Sequence, residues 1–357
     1  GVVVFASSNR AGQYVWVDGV KKKRRRGKKR DRKQKTERGE NDPPRLKDKS
    51  IKRDPKDIEN ELKRACKGIN LPLIYITDSD DERVILFRGK KARLHMHNAY
   101  DDQQKAIVKS SPNGTKQLVV GKRQGLVRLS RNSKHVPLMV VGTPLVYKET
   151  KVQGILEKYL KSTAKPPPLY VADDDTVNEI RGFKRTAENR IYIYASLQLT
   201  PEEDLKPPVL VLANLNNSCN LGAIARTAFN LGITSLLMTK TSFGGLNDTA
   251  VRTSTYSILE CSLAVTEDLP ASIRALSKRG ITTHCGESAS AGAVEPIQGA
   301  GTRNWALVVG SEMFGVPEDA MKAVDKLVTI PQQGGDSFGV AHASVICLYE
   351  LARGMPS

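Results

Sequence analysis

The chain predicts an α/β protein with a parallel sheet in its C-terminal part. Three observations carry that reading. From residue 209 onward, short apolar strands alternate with helical stretches, the signature of a parallel sheet covered on both faces. A smaller α/β unit lies between residues 117 and 200. A strongly basic arm with few apolar residues comes before both.

The arm holds most of the charge. Of the formal +18, a net of +13 lies between residues 20 and 53, where eighteen Lys or Arg face five Asp or Glu; +5 is left for the rest. Its centre is Lys21-Lys22-Lys23-Arg24-Arg25-Arg26. Such a segment cannot offset its ordering entropy by burial, so in isolation it is expected to be disordered. Neutralising phosphates releases counterions, which makes RNA its expected partner. A solubilising tail or a nuclear-import signal is the other reading. The sequence begins at Gly1, not Met, which is consistent with a cleaved transit peptide or a tag scar.

Residues 1–70 form this extension, ending in an amphipathic stretch at 58–65. A small strand-containing segment follows at 71–116. Residues 73–77 read as a strand, paired with Val84-Ile85-Leu86-Phe87 across an acidic turn. His95 and His97 flank Met96, but with no third ligand nearby they read as polar side chains, and no metal is expected. The unit at 117–200 shows a strand and glycine turn at 136–142 and a helix over 146–160, with Val152, Ile155, Leu156 and Leu160 at helical spacing. Pro166-Pro167-Pro168 breaks the chain before strands at 169–172 and 191–195, and 201–208 is a proline-bearing linker.

The C-terminal domain spans 209–357, with strands expected at 209–213, 233–239, 281–285, 305–311 and 326–331. Ligands in such sheets sit at the carboxyl ends of strands, where Gly286, Gly310 and Pro331 fall. Five scattered cysteines (Cys66, Cys219, Cys261, Cys285, Cys347) support neither a disulfide framework nor a zinc site, and fit a reducing compartment. No apolar run approaches the roughly 18 residues needed to cross a bilayer.

Three segments carry the chemistry. In the first, Leu221, Ile224 and Ala228 make an apolar stripe, and Arg226 lies about 200° from Ile224, facing away from the core. Asn220, or Ser218 before it, is the expected helix cap. A lone outward arginine is either a solvated charge or a reacting group. In the second, a strand ends in Gly310-Ser311-Glu312, where Gly310 would admit a ligand close to the backbone. Glu312 can face that ligand or cap a helix. In the third, Ser337-Phe338-Gly339 leads into a helix over 340–353, with Ala341, Ser344, Val345, Leu348 and Ala352 on one face. Backbone donors at such a helix start suit an anion or a polarised ligand. Gly-x-Gly-x-x-Gly and Walker patterns are absent.

In order, Asn220-x-Gly222-Ala223-Ile224-x-Arg226-Thr227-Ala228 with Gly232, Gly310-Ser311-Glu312-x-x-Gly315, and Ile330-Pro331 with the 337–350 stretch resemble the SpoU (TrmH-like) family of RNA ribose 2′-O-methyltransferases. The match covers about 209–353. It implies a SPOUT-like fold with a C-terminal trefoil knot, S-adenosylmethionine as cofactor, and a dimer with its active site at the interface, homodimeric or formed with a related SpoU-like subunit. A knot is rare enough that only the resemblance supports it. By resemblance, Arg226, Glu312 and Ser337 are catalytic and Gly286, Gly310, Ile330 and Phe338 line the cofactor pocket. Asn220 and Lys21, Lys22, Lys23, Arg24, Arg25 and Arg26 would contact RNA, and Glu312 would orient Arg226 or the substrate. The preceding α/β unit stands where family members carry a ribosomal-protein-like RNA-recognition domain.

The pattern is altered at its end. Gly339 stands where the family usually has asparagine, Gln332 replaces a common methionine, and the loop between Pro331 and Ser337 is one residue short. The expected function is therefore ribose methylation of RNA, specifically large ribosomal RNA or a pre-ribosomal particle. The alternative is a catalytically weakened, RNA-binding assembly scaffold. A mitochondrial setting is expected, with the nucleolus as the alternative; no membrane is expected as a partner.

Overall fold

The structure is a computed structural model that describes residues 53–88, 115–163, 165–182, 190–286, 295–333, 338–353 and 355. The six basic residues Lys21–Arg26, His95, His97 and Ser337 lie outside these described residues.

Strands β1 (Leu73–Tyr75), β2 (Thr115–Gly121), β3 (Val136–Gly142), β4 (Leu169–Val171) and β5 (Ile191–Gln198) form a mixed sheet in the order β1-β4-β3-β5-β2. β5 is antiparallel to both neighbours, and Ile191 to Leu197 are all buried, so this strand is covered on both faces. Pro137 cannot donate to the ladder, and the β3–β5 register shifts between Pro137 and Met139.

The expected pairing of 73–77 with Val84–Phe87 is not formed. Residues Glu82–Phe87 make a 3-10 helix, and β1 pairs in parallel with β4. Two local facts explain the change. The Asp81 carboxylate accepts the Arg83 N–H at 2.9 Å, which starts a turn. Val84, Ile85, Leu86 and Phe87 are all buried, which suits a short helix wedged into the core better than an alternating edge strand. The helix expected over 146–160 is divided into Pro144–Tyr147 and Thr150–Ser162.

The second sheet is wholly parallel, with the order β10-β12-β9-β11-β6-β7-β8. Its strands are β6 (Val209–Leu212), β7 (Ser235–Thr239), β8 (Ser262–Thr266), β9 (Thr282–Gly286), β10 (Glu295–Pro296), β11 (Trp305–Val309) and β12 (Lys326–Thr329). Alternation along β6 shows why both faces are covered. Leu210 and Leu212 join one core with helices Ser218–Asn230 and Val340–Ala352, while Val209 and Val211 join another with helix Leu269–Lys278. The sequence reading missed β8 and β10, the first with only three apolar residues in a row and the second two residues long.

The two sheets belong to one unit. Arg128 pairs with Glu260 across them, and Lys116 Nζ donates to the Phe243 carbonyl at 2.9 Å while lying over its ring. Among the described residues, no helix is long and apolar enough to cross a membrane, and no group of His, Cys, Asp or Glu could hold a metal ion.

Candidate active site

Helix Ser218–Asn230 begins where it does because Asn217 caps it. The Asn217 Oδ1 accepts the N–H groups of Cys219 and Asn220 at 3.0 and 3.2 Å. Neither Asn220 nor Ser218 is the cap, because the cap oxygen must reach forward from before the first turn. Both side chains are used elsewhere. Ser218 Oγ accepts from Asn247 Nδ2 at 2.8 Å, and Asn220 Nδ2 donates to Glu312 Oε1. Gly222 lets the Asp248–Thr253 helix approach closely, since a Cβ there would lie 2.4 Å from the Ala250 carbonyl oxygen. As expected, Leu221, Ile224 and Ala228 are buried and Arg226 faces outward. Arg226 has no hydrogen-bond or ion-pair partner among the described residues.

The second segment leaves the fully buried β11 and turns back on itself. Ser311 and Gly315 exchange backbone hydrogen bonds, each at 3.0 Å, and the Phe314 N–H donates to Ser311 Oγ at 3.1 Å. This tight closure explains Gly310: a Cβ on it would sit 2.1 Å from the Gly315 carbonyl carbon. The missing side chain makes room for the turn's own backbone before it makes room for any ligand. Glu312 caps no helix. Its described partner is Asn220, not Arg226. The first two segments thus meet through side chains 92 positions apart, because β6 and β11 are neighbours in the sheet.

The third segment gives Ile330, Gln332, Phe338 and helix Val340–Ala352, with Gly339 at the N-cap. The buried face of this helix is Val340, Ser344, Cys347, Leu348 and Leu351, and Val345 is exposed. The expected face was therefore rotated. Apolar residues occur all round this helix, so periodicity alone does not choose a side. At Gly339 the backbone is extended, φ −61° and ψ 146°, and among the described residues a Cβ would meet only His342 Nδ1, at 3.7 Å. Nothing in the backbone requires glycine there.

The end of β9, the turn after β11 and residues after β12 line one pocket beside the terminal helix. Gly286, Gly310, Ile330 and Phe338 all line it, with Ser311, Val340 and Cys347 beside them. Its described lining carries no charged side chain. Burial pushes the Cys347 thiol up to about 12, so it stays neutral. Ser344 Oγ is bonded to the Val340 carbonyl at 2.6 Å within its own helix. Such a site offers backbone groups and apolar contact, and suits a neutral heterocycle held by its edges. Cys347 and Val340 were not identified from the sequence; only the phase of the helix reveals them.

Comparisons with known proteins agree with this arrangement. Residues 207–349 match the SpoU rRNA Methylase family. The 23S rRNA (guanosine-2′-O-)-methyltransferase RlmB of Xylella fastidiosa is 30% identical over 172 residues, covering 45% of this chain and 68% of that protein. An uncharacterized tRNA/rRNA methyltransferase of Archaeoglobus fulgidus is 29% identical over 208 residues, 57% of this chain and 86% of its own length. Among solved structures, the AdoMet-bound rRNA methyltransferase from Sinorhizobium meliloti superposes with a TM-score of 0.60 at 18% identity, over 80% of this chain and 99% of that one. That likeness is one of fold.

Proposed function

The chain belongs to the SpoU rRNA methylase family, and from that membership we propose that it transfers a methyl group from S-adenosylmethionine to a ribose 2′-hydroxyl of large-subunit ribosomal RNA. The observation that carries the reading is one juxtaposition. The pocket holding Gly286, Gly310, Ile330 and Phe338, whose described lining is uncharged, shares the 310–315 turn with Glu312, which Asn220 holds in place.

The pocket's neutral, largely apolar lining fits an adenosine, with Gly310, Ile330 and Phe338 against it. Bound there, S-adenosylmethionine supplies an electrophilic methyl on a sulfonium. The chain's own residues then serve the hydroxyl. Arg226 cannot act as a base, because a guanidinium keeps its proton throughout the accessible pH range. Its role is to stabilise alkoxide charge as the hydroxyl proton passes to water, the methyl's bond to sulfur breaking to leave the neutral thioether, and to dock an adjoining phosphate. Glu312, fixed by its bond from Asn220, orients the ribose hydroxyl. Ser337 would add a polar contact.

The finer features of the family follow as part of this proposal. The C-terminal segment is knotted, a reading supported by the ends of β9, β11 and β12 lining one pocket beside the terminal helix. The protein works as a dimer, either with itself or with a related subunit. The terminal helix supports this, since Val345, Ile346 and Tyr349 stand exposed at adjacent positions on it, Tyr349 at 59%. The basic arm and the N-terminal sheet domain contact RNA.

Gly339 favours a second reading, a scaffold that binds RNA and cofactor but transfers poorly, because the N-cap of the terminal helix offers no side chain where the family usually has asparagine. One experiment separates the two. Calorimetric titration with S-adenosylmethionine is expected to show one saturable site, followed by mapped ribose methylation of unmodified rRNA. No heat at millimolar cofactor sinks both cofactor-dependent readings, and binding without methylation selects the scaffold.

A further inference from the structure

Two large apolar side chains stand out of the turn that carries Glu312: Met313 is 62% exposed and Phe314 is 82% exposed. A phenylalanine this open gains nothing from burial in its own fold. We propose that the Phe314 ring is a stacking platform for an unpaired base of the substrate RNA, either the target nucleotide or its neighbour, and so helps decide which nucleotide is modified. The inference rests on the ribose-methylation reading and adds a specificity residue to it.

The geometry is restrictive. Residues two apart have Cα atoms no more than about 7 Å from each other, so the Phe314 backbone stays close to Glu312. In a ribonucleotide the base hangs from C1′ and the reacting hydroxyl from C2′, on adjacent ring carbons. A hydroxyl held at Glu312 therefore brings its own base, or the next one, within reach of this ring. The backbone that carries the ring is held before RNA arrives. The paired Ser311 and Gly315 backbone bonds, the Phe314 N–H to Ser311 Oγ bond and the close approach over Gly310 fix the turn. Stacking on it costs little additional ordering.

Chemistry favours a base over a protein surface. Single-stranded RNA is recognised chiefly by stacking unpaired bases on aromatic faces, which tolerates sequence while still ranking it. The chain's net +18 draws a polyanion toward it. The surface assigned to a protein partner, Val345, Ile346 and Tyr349, lies on a different element, the terminal helix.

The test uses the full chain, a short unstructured ribo-oligonucleotide of mixed sequence, and unmodified large-subunit rRNA. Phe314→Ala should weaken oligonucleotide binding about ten-fold, and lower methylation of the rRNA, while S-adenosylmethionine affinity and sedimentation stay as in the wild type. In Phe314→Trp the added indole emission should be quenched by the oligonucleotide. If the wild type binds the oligonucleotide and Phe314→Ala binds it equally well, or the Phe314→Trp emission does not respond, the stacking role is overturned. A change in oligomeric state with unchanged RNA affinity would assign the ring to a protein contact instead. Failure of the wild type to methylate rRNA, with quenching intact, would overturn the reaction but leave the platform standing.

Discussion

The two halves of the site are made of different material. The cofactor half is backbone: strand ends, glycines and an apolar helix face, with Gly310 cleared so that the Ser311–Gly315 turn can close. The reacting half is side chains: Arg226 standing free among the described residues, Glu312 held by Asn220, and Gly339 contributing none. Backbone geometry depends on many residues together and survives most single replacements. A side-chain constellation changes with each member. The first half should therefore fail only when its turn is blocked, and the second should fail residue by residue.

The strongest way to break this contrast is at Gly310. Gly310→Ala would place a methyl 2.1 Å from the Gly315 carbonyl carbon, against backbone that has nowhere to go. Denaturant unfolding should show a loss of roughly 1–3 kcal/mol, and calorimetry should find cofactor binding abolished. An alanine tolerated with full binding would show that the turn is not what shapes the pocket. The reacting half should respond differently. Arg226→Ala leaves the fold and cofactor affinity intact while methyl transfer falls by about 10²–10³. A parallel fall in cofactor affinity would move Arg226 into the pocket half.

A smaller change probes how Glu312 is held. Asn220→Ala removes the donor to Glu312 Oε1 and should lower the transfer rate about ten-fold. Glu312→Ala should show a loss at least as large in a single-turnover assay, and adding Asn220→Ala to it should cost little more, because the contact is already gone. Fully additive losses would mean that Asn220 acts on the RNA directly.

The difference between the halves also explains what the sequence revealed. Strand ends are conspicuous, so Gly286, Gly310 and Pro331 could be placed there from the alternation of strands and helices alone, whereas Ile330 and Phe338 needed the family resemblance. The Asn220–Glu312 contact could not, because it depends on β11 lying beside β6, an adjacency that strand succession does not disclose. The same applies to the buried face of Val340–Ala352, where the helix is apolar all round and packing chooses the side. The Glu82–Phe87 turn was misread because four consecutive β-compatible residues are equally content in a short buried helix once Asp81 caps it.

A pH experiment addresses the pocket half alone. Burial raises the Cys347 thiol to about 12 from its ordinary 9.0. The unfolded chain therefore releases this proton first, and stability is fully present below pH 9 and declines as pH rises toward 12. Cys261 is raised in the same way, so Cys347→Ala should flatten only part of the alkaline decline in unfolding free energy. An identical profile in the variant would mean that Cys347 is reached by water.

Gly339→Asn has the smallest expected effect on stability and the sharpest meaning. The residue is the N-cap of the terminal helix, its backbone is extended at φ −61° and ψ 146°, and among the described residues a Cβ meets nothing closer than His342 Nδ1 at 3.7 Å. Asparagine is a better cap than glycine by only a few tenths of a kcal/mol, so thermal unfolding should barely move. The rate should, by up to about ten-fold if an added hydrogen bond steadies the hydroxyl. A faster enzyme with unchanged cofactor affinity would show that the reacting half lost a working side chain while the backbone half kept its shape. An unchanged rate would mean that Arg226 and Glu312 already suffice, and that glycine at 339 costs this site nothing.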